Sequence, residues 1–415
     1  MEHLFHGNRL RARLACVSGS SGLLFFRKSH HMKNALTFLV LGAALSACGG
    51  GSDGGTPETP AKPPVVVTPP VVPADSVTVA SVAVAKEAGL SVIAGASADE
   101  SVYDVAADIG DTWRITFDSV KKTYVIRVLS TQFGLSDRSG TFSATTTGNL
   151  TTYTATDFSV TVDARTRLLS GNIKLGNMAS TVSGSGYAVS DVAKLAGNYI
   201  FLGAMRNASN GADRFNPKGS LKIAADGAAQ LCNGGVFNAQ GVCSAVSPQL
   251  EAENASLTLV KDAKTGLLVA RQGGQDFGIV HVHAGDRGLA LFIDRYGRNQ
   301  ENVLRVGTIV AAKQQKIGTE LNGSYACAAS GISANIVVAG STATLTNNTT
   351  GKTHAETITI NKLGLGAQAV DFDGVAVFKD PADVPADYSM FMPVSSSMAV
   401  EFSTDRSYMG MCLKK

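Results

Sequence analysis

Tryptophan is nearly missing from this chain, with one in 415 residues, and charged residues make up only 17%. There is no CxxC pair, so the usual zinc-ribbon and thiol-redox spacings are excluded. No apolar run reaches the roughly 20 residues that a membrane-spanning helix needs. Long stretches of helical period are also lacking. Histidine is scarce: of seven, four lie before residue 48, which leaves His281, His283 and His354. The formal charge of +3 is equally misleading. Residues 1–47 hold six of the 36 Lys and Arg and one of the 33 acidic residues, so the remainder carries 30 against 32, near −2. A near-neutral chain without a basic stripe argues against nucleic acid as a partner. Apolar residues at 44% are ample for packed cores.

What is present begins with a secretion signal. Met32-Lys33-Asn34 precedes a short apolar run, Ala35 to Ala44, that ends in Leu45-Ser46-Ala47-Cys48. A basic residue, an apolar run of about 7–15 residues and a small-residue site are the parts of an export signal. Leu-Ser-Ala-Cys resembles the lipobox of bacterial lipoproteins. That resemblance implies cleavage before Cys48, diacylglycerol and a further fatty acyl chain such as palmitate on Cys48, and a membrane anchor. Two or more acyl chains hold a protein stably where one does not. Gly49 follows in place of an inner-membrane retention Asp, so the resemblance implies the outer membrane, on its periplasmic face or at the cell surface. Residues 1–31 fit poorly ahead of this signal and read as a misassigned upstream extension, with Met32 the start.

Residues 48–74 carry seven of the twelve prolines after a Gly/Ser run. That composition gives a disordered tether, flexible and then extended. From Asp75 the pattern is strand and turn. Val77, Val79, Val82 and Val84 nearly alternate; Trp113, Ile115, Phe117 and then Tyr124, Ile126, Val128 alternate strictly. Period two with β-branched and aromatic residues predicts half-buried strands, with Asp118–Lys122 as a hairpin turn. Ala83–Leu90 and Asp191–Ala196 are candidates for short helical turns. Loose repeats divide the rest. Leu195-Ala-Gly197-Asn-Tyr199 matches Leu321-Asn-Gly323-Ser-Tyr325, and Val306–Lys313 matches Met409–Lys414 as two domain-closing strands. Asp163–Leu169 and Asp262–Leu268 match as hairpin turns. The expected fold is all-β, with two or three tandem antiparallel barrels or sandwiches at 75–192, 193–316 and 317–415. The Leu-x-Gly-x-Tyr start resembles a lipocalin first strand.

Four cysteines remain beyond Cys16 and Cys48: Cys232, Cys243, Cys327 and Cys412. An even number in an exported chain predicts two disulfides. Of the three connectivities, Cys232–Cys243 across a turn-rich loop with Cys327–Cys412 between first and last strands is the expected one.

Chemistry-bearing motifs are few. His281-Val-His283 places two imidazoles on one strand face, a weak metal candidate with Asp286 or Asp294. Gly364-Leu-Gly366-Ala-Gln-Ala369 resembles a dinucleotide loop, but a strand-like run follows where a helix is required. No cofactor and no acid–base constellation is evident, so the expectation is a non-enzyme. Two polar loops with Arg and aromatic residues are binding candidates: Asp213-Arg214-Phe215 and Arg295-Tyr296-Gly-Arg298. The leading expectation is a lipid-anchored interaction module for an envelope protein, glycan or host molecule. Alternatives are a lipocalin-like carrier of a small apolar ligand, or an inhibitor of an envelope hydrolase. The last rests on Tyr325-Ala-Cys327 and Cys412, which resemble small disulfide-bonded lysozyme inhibitors, without their Ser-rich loop.

Overall fold

The computed structural model describes residues 75–245, 252–299, 301–329, 332–363, 370–380, 388–403 and 409–415. The upstream segment, the lipobox with Cys48, the tether and the 364–369 glycine loop lie outside the described residues. The chain is all-β with tandem antiparallel barrels, as its alternation predicts. One helix, Ser76–Glu87, corrects the reading of Val77–Val84 as a strand. Its cause is local. Asp75 caps it, accepting from the backbone N–H groups of Val77 (2.9 Å) and Thr78 (3.1 Å). The buried face carries small residues one turn apart, Ser81, Ala85 and Ala88, with Val84 packed beside them. Val79 and Val82 face solvent.

After the helix, nine antiparallel strands between Glu100 and Ser185 form one curled, open sheet. Trp113, Ile115 and Phe117 share its concave core with Val105, Phe158 and Val162. The curl is tight enough for Phe117 to stack on Tyr153 at 4.2 Å, although four strands of the sheet lie between theirs.

Two closed eight-stranded barrels follow, one from Gly197 to Lys313 and one from Gly323 to Lys414. Each begins with a single 3-10 turn, Val192–Leu195 and Thr319–Leu321. Each then closes by the same device. Tyr199 O–H donates to the Leu195 carbonyl at 2.6 Å, and Tyr325 O–H donates to the Leu321 carbonyl at 2.9 Å. In register with each tyrosine on the last strand stands a lysine, Lys313 or Lys414. Its ammonium lies over the tyrosine ring (4.6 and 5.7 Å) and donates to the Ala196 or Glu320 carbonyl. Gly197 and Gly323 sit at φ 145° and 144°, where a Cβ would run into that lysine. The loose repeat in the sequence is thus a repeated latch between first and last strands.

The second barrel is filled by Tyr325, Ile336, Val338, Phe378, Phe391 and neighbours. The disulfide Cys327–Cys412 joins its opposed closing strands, and Cys232–Cys243 ties a small hairpin to the first barrel. The first barrel is the hub. Ala85 and Ala88 of the helix join the core at its base, near Leu195, Tyr199, Ala284 and Leu289. Its outward residues Ile200, Leu202, Phe292 and Val310 pack on an outward, methionine-rich face of the second barrel: Met390, Met392, Met398, Met409 and Met411. Five of the chain's nine methionines lie there, unbranched side chains that fill irregular gaps between curved surfaces.

The latch gives one prediction. Tyr199→Phe leaves the Leu195 carbonyl buried without its donor and should cost about 1–2 kcal/mol in denaturant unfolding, as should Tyr325→Phe. The disulfides give another. On the chain-entropy account, losing the bridge that spans 85 residues should cost about 4–5 kcal/mol, against about 3 for the bridge spanning 11. Equal losses in the Cys327→Ala/Cys412→Ala and Cys232→Ala/Cys243→Ala chains would contradict that ranking.

Candidate functional site

The two ends of the first barrel differ. The helix and the 3-10 turn cover the base. At the mouth a cavity of about 240 Å³ remains. Inward positions alternate along each strand, so the strand Gly288–Arg298 presents Leu289, Leu291 and Ile293 to the core and Arg295 to the mouth. The strand Leu304–Lys313 likewise presents Arg305, then Ile309 and Ala311. The apolar wall is Met205, Phe215, Leu231, Ala255, Phe277 and Ile309. Phe215 reaches it because its loop is pinned by a two-way bridge to Met205, both bonds 2.9 Å.

Arg295 is held over the Phe277 ring, with its Cζ 4.0 Å from the centroid, and Nη1 donates to the Phe277 carbonyl at 2.9 Å and to the Tyr296 carbonyl. Gly297 makes this possible: at φ 150°, a Cβ there would lie 2.7 Å from Arg295 Nη1. Burial, then the nearby positive Arg305, lower the Arg295 pKa to about 10. Arg305 donates to the Asp213 carbonyl and lies 3.5 Å from the Asp213 carboxylate. Its Nε is buried without an acceptor among the described residues. Arg298 is exposed at the rim and donates to the Asn302 carbonyl at 2.7 Å.

Of the binding candidates from sequence, Arg295, Arg298 and Phe215 line this cavity, and Asp213 supports it through Arg305. Tyr296 points to the outside of the barrel, where it packs with Leu129, Val260 and Ile279. Arg214 is exposed in its loop, away from the lining. Arg295 and Arg298 prove to lie on the strand Gly288–Arg298 and not on a loop, and Arg305, Phe277 and Met205 escape a search for polar loops because each stands singly on a largely apolar strand. The alternation Arg305, Gly307, Ile309, Ala311 was the available signal.

His281 and His283 lie on the opposite, outward face of their strand, because Val280, Val282 and Ala284 face the core. The convex side of the sheet buries them. His283 is 0% exposed and neither ring nitrogen has a hydrogen-bond partner among the described residues. Burial lowers His281 to about 4 and His283 to about 3. The same seam holds Asp294, which accepts from Thr112 Oγ1 at 2.6 Å. Burial, with Asp111 and Asp108 nearby, pushes Asp294 well above the usual carboxylate range. Arg206 faces Asp108 at 3.3 Å and Arg114 is bidentate to Asp104. Among the described residues no third ligating atom converges on the two histidines; the one such grouping is Glu401 with the disulfide-bonded Cys327 and Cys412.

The seam titrates in two opposed directions. Each histidine binds a proton more readily when unfolded, so its stabilisation is lost as pH falls below about 6.5, by up to about 1.4 kcal/mol per pH unit each. Asp294 binds its proton more tightly when folded, so its share is lost as pH rises above about 4. Asp294→Asn should therefore raise stability at pH 7, with the gain vanishing near pH 3.5. His283→Gln should flatten the acid limb. Unfolding midpoints across pH 3.5–7.5 check both, and a pH-independent Asn gain would contradict the assignment.

No protein-family model matches the chain, and no curated protein does. Solved structures of Transferrin Binding Protein B (TbpB) match by shape. A single mutant from Haemophilus parasuis Hp5 is 11% identical, with 74% of this chain and 66% of that one covered, at a TM-score of 0.20. A double mutant from the same source is 9% identical, with 73% and 65% covered, at 0.18. Intact Ap-TbpB, with N and C lobes, is 10% identical, with 76% and 77% covered, at 0.18. The chain thus spans just under two thirds of the two Haemophilus structures' length, and at these TM-scores the molecules do not superpose as wholes.

Proposed function

We propose that the chain is a lipid-anchored envelope lipoprotein whose folded part is a non-enzymatic binding module, and that the mouth of the first barrel is its binding site. The observation that carries this reading is the contrast between the two barrels. The second is filled by its own side chains and latched by a disulfide. The first keeps about 240 Å³ open at the one end that the helix does not cover. The sheet and the second barrel cover two stretches of its outer wall, and the mouth is the opening into its interior. A carrier of a long apolar molecule is disfavoured, because the deeper interior is occupied by Phe201, Leu221, Leu257 and Leu291. A lipid on Cys48 and an outer-membrane position, with a host, glycan or envelope partner within reach of the tether, belong to the same proposal.

Two measurements test it. Cells fed labelled palmitate should label the protein, and Cys48→Ala should abolish labelling and release the chain from the membrane fraction. For the mouth, the neutral fluorophore N-phenyl-1-naphthylamine should brighten on adding the full Cys48→Ser chain, used to avoid acylation. Met205→Trp, which fills the cavity, should remove that signal while the melting temperature holds. Brightening that Met205→Trp leaves untouched would place the apolar site elsewhere.

A further inference from the structure

The mouth has an unbalanced charge. Arg295, Arg298 and Arg305 line it, against Glu253 at the exposed rim. Asp213 answers Arg305 only in part, at 3.5 Å, and leaves Arg305 Nε without an acceptor. Arg295 and Arg298 form no ion pair among the described residues; both are satisfied through carbonyls. Four other sheltered arginines each take a carboxylate, Arg114 with Asp104, Arg165 with Asp163, Arg206 with Asp108 and Arg287 with Glu320, whereas Arg167, lying over the Tyr103 ring, has no ion pair among the described residues. A guanidinium out of water is costly unless its charge is met. Its flat fork of N–H donors fits an oxyanion.

Below the guanidiniums the wall is apolar and aromatic. An apolar cavity of about 150 Å³ accepts a benzene-sized guest, so the space here suits one ring or a short alkyl chain and excludes a diacyl lipid. From these observations we infer that the first barrel binds a small anionic amphiphile, with its apolar body against Met205, Leu231 and Phe277 and its oxyanion between Arg295, Arg305 and Arg298. This rests on the mouth being a binding site, and it adds the class of ligand.

The test uses the full Cys48→Ser chain and three probes of equal chain length: octanoate, octyl phosphate and 1-octanol, each displacing N-phenyl-1-naphthylamine. Octanoate or octyl phosphate should bind at least roughly tenfold more tightly than octanol, the scale of one charge-assisted hydrogen bond. Whichever of the two binds more tightly identifies the anion. Arg295→Gln should weaken the anion about tenfold, toward the affinity of octanol, and leave octanol unchanged. Should that variant fail to fold, Arg298→Gln at the exposed rim should weaken the anion several-fold, with the loss shrinking at high salt. Octanol matching both anions overturns the inference and leaves the binding site standing. Failure of the neutral fluorophore itself to bind overturns the site, and the inference with it.

Discussion

Everything above the level of single strands depends on how each barrel is shut. A sheet left open at its first and last strands exposes a row of unpaired N–H and C=O groups. Here one tyrosine per barrel holds the chain at the point of closure, through a hydrogen bond to a carbonyl four residues back. A lysine from the last strand then lies across the tyrosine ring and takes a second carbonyl from the first-strand side. Glycine between turn and strand leaves space for that lysine. Three residue types therefore do in each barrel what no long-range pattern of apolar residues could do alone: they fix which two strands meet.

Closure determines how the rest of the chain is used. A closed barrel can bury its outer wall only against something else, and the first barrel does so on two sides. One side carries apolar residues to the second barrel's methionines. The other carries His281, His283 and Asp294 to the polar back of the curled sheet. The first contact is built from aliphatic, methionine and phenylalanine side chains. The second has several ionisable groups, held neutral or paired, and its strength therefore varies with pH. With the base covered, the mouth is the opening into the first barrel's interior.

Much of this was legible in the sequence, for stated reasons. Strict alternation in Trp113–Phe117 and Tyr124–Ile126 predicts strands because one face of each is buried, and both lie in the sheet's core. The Leu-x-Gly-x-Tyr repeat was visible because the latch needs the glycine and the tyrosine and each barrel core takes the leucine. Val77–Val84 misled because valine's preference for strands was outweighed by the Asp75 cap and by the small residues at 81, 85 and 88, which fit a helix onto a barrel end. The buried state of His281 and His283 was not legible, since no local pattern says that a second sheet will cover an outer wall. The mouth was half legible. Phe215, Arg295 and Arg298 stood out in polar stretches that carry aromatic residues, whereas Arg305 and Phe277 look like ordinary strand positions until the barrel is closed.

The central claim is that the first and last strands of each barrel are joined as firmly as any neighbours within it. Native-state hydrogen exchange along the two closing seams tests this most directly. The account predicts that amides of Ile200–Ala204 and Thr308–Ala312, and those of Ala326–Ala328 and Met411–Leu413, exchange in the slowest class of their own barrel. Exchange at those seams as fast as at hairpin ends, with the interior strands still protected, would mean open sheets with free edges and would contradict the account.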